Sequence, residues 1–117
     1  MKMMKKKKNI VIIGASASVG NEIVSKFRSP STRIIASYLT KKDAEPKDDV
    51  LCPVRLDLRK KRSIEGFVKT VRSITPHVDT VVFLAGILPG KSLKEYDSAN
   101  IEKVMTINFT GLSLIHI

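Results

Sequence analysis

Short, uninterrupted apolar runs alternate along this chain with stretches whose apolar residues recur every three or four positions. Asn9–Gly14 (NIVIIG) contains the unbroken apolar run Ile10–Ile13, the pattern of a strand buried on both faces. Ser18–Arg28 reads as a helix, with Val19, Ile23 and Phe27 spaced four apart. Ser29-Pro30-Ser31 ends it, because proline cannot continue a helix and pushes the residue before it out of the helical region. Arg33–Tyr38 (RIIASY) is a second strand, and the polar, Pro46-containing stretch Lys41–Asp49 is a loop or a short helix. Val50–Leu56 is a third strand, weakened by Pro53, which cannot donate to a ladder. Arg62–Ile74 is a helix with Ile64, Phe67, Val68 and Val71 on its apolar face, closed by Thr75-Pro76. Asp79–Leu84 (DTVVFL) is a fourth strand and Gly86–Tyr96 a loop. From Ser98 onward a helix places Ile101, Val104, Met105, Asn108 and Leu112 on one side.

Strands separated by helical stretches at this spacing imply an α/β fold with a doubly wound parallel sheet. Right-handed crossovers then distribute the helices over both faces. A length of 117 residues accommodates one domain with a core. Residues 9–117 are assigned to it, and residues 1–8 to a basic, disordered tail. No apolar run approaches the ~20 residues that span a bilayer. The basic head at Met1–Lys8 imitates a secretory leader, but the apolar run after it lasts only from Ile10 to Ile13. A cytoplasmic location is the expectation, with no membrane or nucleic-acid partner.

The net charge of +10 raises the possibility of a nucleic-acid binder. Such a protein would be retained on DNA in a steeply salt-dependent way. The cations are clustered, however, in Met1–Lys8 and in the run Arg59–Arg62, and no aromatic residues interleave them. Solvated charge is the simpler reading. The single cysteine, Cys52, excludes an internal disulfide and reads as a small buried hydrophobe in the third strand. His77 and His116 are isolated and carry no metal spacing.

The first strand runs into Gly14-Ala15-Ser16-Ala17-Ser18-Val19-Gly20, which opens the first helix. A helix amino terminus offers unpaired N–H groups and partial positive charge to a phosphate. Gly14 permits a sharp turn, and Gly20 lets the helix lie close to the sheet. Two glycines six apart are equally compatible with plain turn chemistry. The spacing matches neither a Gly-x-Gly-x-x-Gly fingerprint nor the Gly-Lys-Ser/Thr end of a P-loop.

Four landmarks together resemble the short-chain dehydrogenase/reductase family, especially its 3-oxoacyl-carrier-protein-reductase-like members. Gly14 and Gly20 match the outer glycines of the family's Thr-Gly-x-x-x-Gly-x-Gly, with Ile13 and Ser18 in place of its Thr and middle Gly. Asp57-Leu58 matches its acid and apolar residue after the third strand. Phe83-Leu84-Ala85-Gly86 matches the second half of its Asn-Asn-Ala-Gly. Asn108-Phe109-Thr110-Gly111 matches its Asn-x-x-Gly. The resemblance covers about Asn9 to Gly111 and implies the first part of a Rossmann-type domain, incomplete at about four strands with crossover helices. It implies a cofactor diphosphate held by Gly14, Ser16, Ala17, Ser18, Val19 and Gly20, and adenine met by Asp57 and Leu58. Ala85 and Gly86 would lie along the ribose and nicotinamide, and Asn108 would hold a water in a proton relay and bend its helix. Each landmark has a plainer alternative. Asp57 can simply cap the following loop, Ala85-Gly86 can be a strand-end turn, and a buried Asn108 can be a structural hydrogen-bond hub.

NAD-binding relatives of this fold usually carry an acid at the end of the second strand. Here Ser37-Tyr38-Leu39-Thr40-Lys41-Lys42 has none, which favours NADP(H) over NAD(H) on charge. Lys41 and Lys42 are otherwise ordinary loop lysines. The Tyr and Lys that move the proton in the resembled family lie beyond this chain's last residue. Tyr38 and Lys42 imitate their spacing, but that spacing shares a face only on a helix. The expected function is therefore an NAD(P)-dependent short-chain oxidoreductase of small carbonyl or alcohol substrates, represented by its cofactor-binding half. The chain alone is expected to fold poorly and to be inactive, and the full-length parent to be a homo-oligomer. The alternative is a non-catalytic Rossmann protein that binds a dinucleotide or a partner, suggested by Ser18, Phe83 and Leu84.

Overall fold

The computed structural model describes residues 7–14, 18–40, 46–85 and 97–115, without the side chains of residues 18, 19 and 112. Four strands form one parallel sheet: β1 (Lys8–Ile13), β2 (Thr32–Tyr38), β3 (Leu51–Arg55) and β4 (Thr80–Phe83), in the order β3-β2-β1-β4. Helix α1 (Ser18–Phe27) links β1 to β2, and α2 (Lys61–Ile74) links β3 to β4. Helix α3 (Ser98–Met105) follows, then a π-helical turn over Thr106–Thr110 and a short α4 (Gly111–Ser113). No helix among the described residues is long and apolar enough to cross a membrane.

The central position of β1 explains its unbroken apolar run. With neighbours on both edges, Ile10–Ile13 are fully buried, and successive side chains enter opposite layers. Ile10 and Ile12 pack with Ile34, Ala36, Leu51 and Val24 of α1. Val11 and Ile13 pack on the other face with Ile35, Leu56, Leu58 and the Ile64, Phe67 and Val71 of α2. All four apolar positions expected of α2 are buried. In α1 the deepest side chain is Val24, while Ile23 and Phe27 are half-buried, so its core face is turned about one residue from the expected one.

Local chemistry fixes the element ends. The Thr32 hydroxyl donates to the Phe27 carbonyl at 3.0 Å and accepts the Ser29 N–H, tying the end of α1 to the start of β2. At the end of α2 the Thr75 N–H reaches the Val71 carbonyl, and the Arg33 guanidinium takes the Ile74 carbonyl at 3.0 Å. Asp97 caps α3 by accepting the Asn100 N–H at 2.8 Å. Pro53 is accommodated because β3 pairs only with β2 among the described strands. At the opposite edge β4 pairs only with β1, and Val81 is 48% exposed.

Three expectations are corrected. Lys8, assigned to the tail, is the first residue of β1, because it extends the pairing with β2 to Thr32. Cys52 is half-buried rather than buried, on an edge strand. The last helix is not one regular α-helix with a continuous apolar face. Of its described apolar side chains from Ile101 to Phe109, Val104 and Ile107 are turned partly inward, and Ile101, Met105 and Phe109 are exposed. The π-helical turn also widens the spacing around Asn108, whose side chain is exposed rather than buried.

Candidate functional site

The order β3-β2-β1-β4 adds β2 and β3 on one side of β1 and β4 on the other, so the direction in which strands are added reverses between β1 and β4. In open α/β sheets the crevice outside the carboxyl ends at such a point is where ligands bind. A cleft of about 360 Å³ lies there, bordered by residues from the ends of β1, β2, β3 and β4 and from the last helical segment.

Gly14 forms its floor. Its φ of +89° is a conformation that side chains rarely adopt. The backbone of β4 also passes so close that a Cβ on Gly14 would fall 2.5 Å from the Ala85 nitrogen and 2.8 Å from its Cα. The Leu84 and Ala85 N–H groups both donate to the Ile13 carbonyl, at 2.7 and 3.1 Å, which holds the two strand ends together. The Gly14 N–H donates to the buried Ser37 hydroxyl of β2 at 2.8 Å. Three strands thus fix the point at which the loop leaves β1.

Asp57 and Leu58 follow β3 and line the cleft with Arg59. Asp57 is buried, and its N–H donates to Ser63 of α2 at 2.8 Å. Its carboxylate accepts the Arg59 N–H at 3.0 Å, the Arg59 Nε–H at 3.1 Å and the Nη2–H at 3.2 Å. The Arg59 hydrogen bond holds the carboxyl below its ordinary range against the opposing effect of burial. The same pair raises the guanidinium. Asp57 therefore does cap its loop, as the plainer alternative required, and it does so while bordering the cleft.

Among the sequence-predicted residues, Gly14, Asp57, Leu58 and Ala85 come together at the cleft. Ser18, Val19 and Gly20 form the first turn of α1, after the carboxyl end of β1, and Gly20 is buried. Ser16, Ala17 and Gly86 lie outside the described residues, as do Lys41, Lys42 and the loop from Gly86 to Tyr96. Asn108 sits in the π-helical turn, next to Ile107, which lines the cleft. Such turns are frequent at functional sites. Gly111 follows, and a Cβ there would lie 2.9 Å from the Leu58 carbonyl oxygen and 3.0 Å from its Cβ, so the turn is seated directly on Leu58. Tyr38 ends β2, so it lies on a strand and not on a helix.

Sequence reasoning missed Ser37, Arg59 and Lys103, the last of which lines the cleft from α3. Arg59 is a correction: it was assigned to a solvated charge run and is instead paired with Asp57. An acid and a base two residues apart, directly after a strand, were the available signal. His77 lies 3.0 Å from Asp79, whose other oxygen accepts the Asn9 N–H. That cluster sits at the amino ends of β1 and β4, away from the cleft. The described residues contain no group of three metal-ligating side chains.

The short chain dehydrogenase family model matches residues 8–116. An uncharacterized oxidoreductase of Schizosaccharomyces pombe is 29% identical over 110 residues, covering 88% of this chain and 42% of that protein. Three solved structures share the fold. A putative 3-oxoacyl-reductase from Bacillus thuringiensis is 19% identical, with a TM-score of 0.77 over 93% of this chain and 49% of that one. The putative carbonyl reductase Sniffer of Caenorhabditis elegans is 21% identical, with a TM-score of 0.79 over 94% and 50%. The aldohexose dehydrogenase of Thermoplasma acidophilum is 15% identical, with a TM-score of 0.78 over 94% and 42%. The chain thus spans half or less of the length of these relatives.

Proposed function

The chain belongs to the short chain dehydrogenase family, and from that premise we propose that it is the cofactor-binding half of an NAD(P)-dependent oxidoreductase acting on a small carbonyl or alcohol. The observation that carries this reading is Gly14. Its positive φ and its contact with the Ala85 backbone leave room for a loop at the switch point and none for a side chain. The residues present fit a dinucleotide. Gly14, Ser16, Ala17, Ser18, Val19 and Gly20 would hold the diphosphate. Asp57 offers a carboxylate oxygen, and Leu58 an apolar wall, to adenine. Ala85 and Gly86 would meet the ribose and nicotinamide. Asn108, in its π-helical turn, positions water on the proton path. When bound, the nicotinamide supplies or accepts the hydride.

NADP(H) is favoured over NAD(H). The preference rests on charge alone: the end of β2 carries no acid, and Arg59 and Lys103 outnumber Asp57, the only acid among the described cleft residues, although Leu39 cannot supply the cation that often stands at about its position in the family. The setting is cytoplasmic. The full-length parent is a homo-oligomer, a reading supported by the exposed Ile101, Met105 and Phe109. We take the two buried layers on either side of β1 to hold the sheet together well enough to bind cofactor, in place of the poor folding expected above, but not to turn it over. A second reading, dinucleotide or partner binding without catalysis, draws on Phe83 and Leu84, which pack against the core where the family pattern has Asn-Asn.

Calorimetric titration with NADPH and NADH tests the proposal. Saturable binding, tighter for NADPH and abolished by Gly14→Asp, is the expected result, with no NADPH oxidation in the presence of carbonyl compounds. Binding of neither nucleotide would overturn it.

A further inference from the structure

Asp57 is the only acid among the described residues that line the cleft, and its side chain is only 4% exposed. A buried carboxylate left to itself would gain a proton or turn away toward water. Arg59 prevents both. Its backbone N–H and its Nε–H occupy Oδ1, and its Nη2–H occupies Oδ2 at 3.2 Å. A carboxylate has about four lone-pair sites, so these three bonds leave one acceptor site, and it is on Oδ2. The guanidinium itself stays half-exposed, so its own charge remains hydrated.

We propose that Arg59 is a specificity-determining positioning residue, which fixes Oδ2 of Asp57 as an acceptor for one exocyclic amino group and so makes the cleft select adenine over a base carrying a carbonyl there. This rests on the dinucleotide-binding reading above. An amino group donates to the fixed oxygen. A carbonyl oxygen at the same place meets a second acceptor, and neither finds a proton. The selection holds only while Asp57 is ionised, because a protonated carboxyl can donate to the carbonyl instead. The groups that set this state are Arg59, against the opposing effect of burial, and then Lys60 on the approach to α2; Tyr38 and Lys103 face the same cleft from its other walls.

The test compares the dissociation constants of NADP+ and its hypoxanthine analogue on the 117-residue chain, at neutral and mildly acidic pH. The parent should prefer adenine by about tenfold or more at both pH values, the size expected when a buried acceptor is left unpaired. Arg59→Gln should bring the ratio toward unity, the more so as pH is lowered, because burial raises the carboxyl once the guanidinium no longer opposes it. Arg59→Lys, which keeps the charge but holds one oxygen at a time, should recover part of the ratio. A purely structural role would weaken both ligands equally and leave the ratio and its pH dependence unmoved, which would overturn the inference. If Arg59→Gln loses the parent's melting transition, Arg59→Lys decides: a ratio equal to the parent's overturns the inference, and a reduced one supports it. A parent that binds both nucleotides equally refutes this inference alone. A parent that binds neither refutes the dinucleotide reading together with it.

Discussion

Replacing Gly14 with alanine puts a methyl group into the backbone of the neighbouring strand. Two costs add. Holding a non-glycine residue at a φ of +89° costs ~1–2 kcal/mol. The new Cβ also falls 2.5 Å from the Ala85 nitrogen, 2.8 Å from its Cα and 3.0 Å from the Leu84 carbonyl carbon. These are backbone atoms held by two hydrogen bonds to Ile13, so they cannot swing aside as a side-chain tip would. Overpacking of that kind costs ~1–3 kcal/mol. The sum, ~2–5 kcal/mol, is a large share of the ~5–15 kcal/mol that stabilises a typical domain. Urea unfolding followed by circular dichroism should show a lower midpoint with little change in slope. Gly66→Ala is the internal control. Gly66 lies within α2 with nothing within 4 Å of its would-be Cβ, so alanine there should stabilise by ~0.5–1 kcal/mol. A Gly14→Ala protein within ~0.5 kcal/mol of the parent, the range of an indifferent surface site, would refute the close-approach argument.

Other expectations follow from the same contacts. Gly111→Ala should destabilise by ~0.5–2 kcal/mol in the same urea assay, since its Cβ would press on the Leu58 carbonyl at 2.9 Å and alanine's better helix propensity offsets only part of that. Ser37→Ala removes the acceptor of the Gly14 N–H and should cost ~1–3 kcal/mol if no water replaces it. It should also weaken NADPH binding in calorimetry by loosening the loop. Asp48 is held at about 2, below 3.8, first by the Arg28 guanidinium and then by the Leu51 and Val50 N–H groups. Its contribution is thus present above pH 3.8 and lost as pH falls through about 2. Asp48→Asn should lower the melting temperature at neutral pH, and the gap to the parent should close in scans toward pH 2.

The parts of the fold legible in the sequence are those whose pattern is set by neighbours in the chain. The unbroken run of β1 announces a strand with cover on both faces, and the spacing of Ile64, Phe67, Val68 and Val71 names the buried face of α2. Gly14 was legible because strand, glycine and helix follow one another directly. The face of α1 was legible in part: Ile23 and Phe27 do pack on the core, but Val24, which lies outside their four-residue spacing, is buried deeper. The π-helical turn at Thr106–Thr110 leaves no trace in a pattern read at 3.6 residues per turn, so the exposure of Asn108 was misjudged. Ser37 and Gly14 are 23 residues apart, and only the pairing of β2 with β1 brings them together. Arg59 was hidden differently: inside a run of four cations, one that pairs looks like the three beside it.

The central claim is that a dinucleotide lies across the carboxyl ends of this sheet. Mapping the backbone amide shifts of the labelled chain during titration with NADP+ tests it most directly. The account predicts saturable shifts at Gly14, Ser37, Leu58, Arg59, Ala85 and Ile107, around the cleft. Shifts confined to Asn9, Thr75 and Asp79 at the opposite edge of the sheet, or none at all, would contradict it.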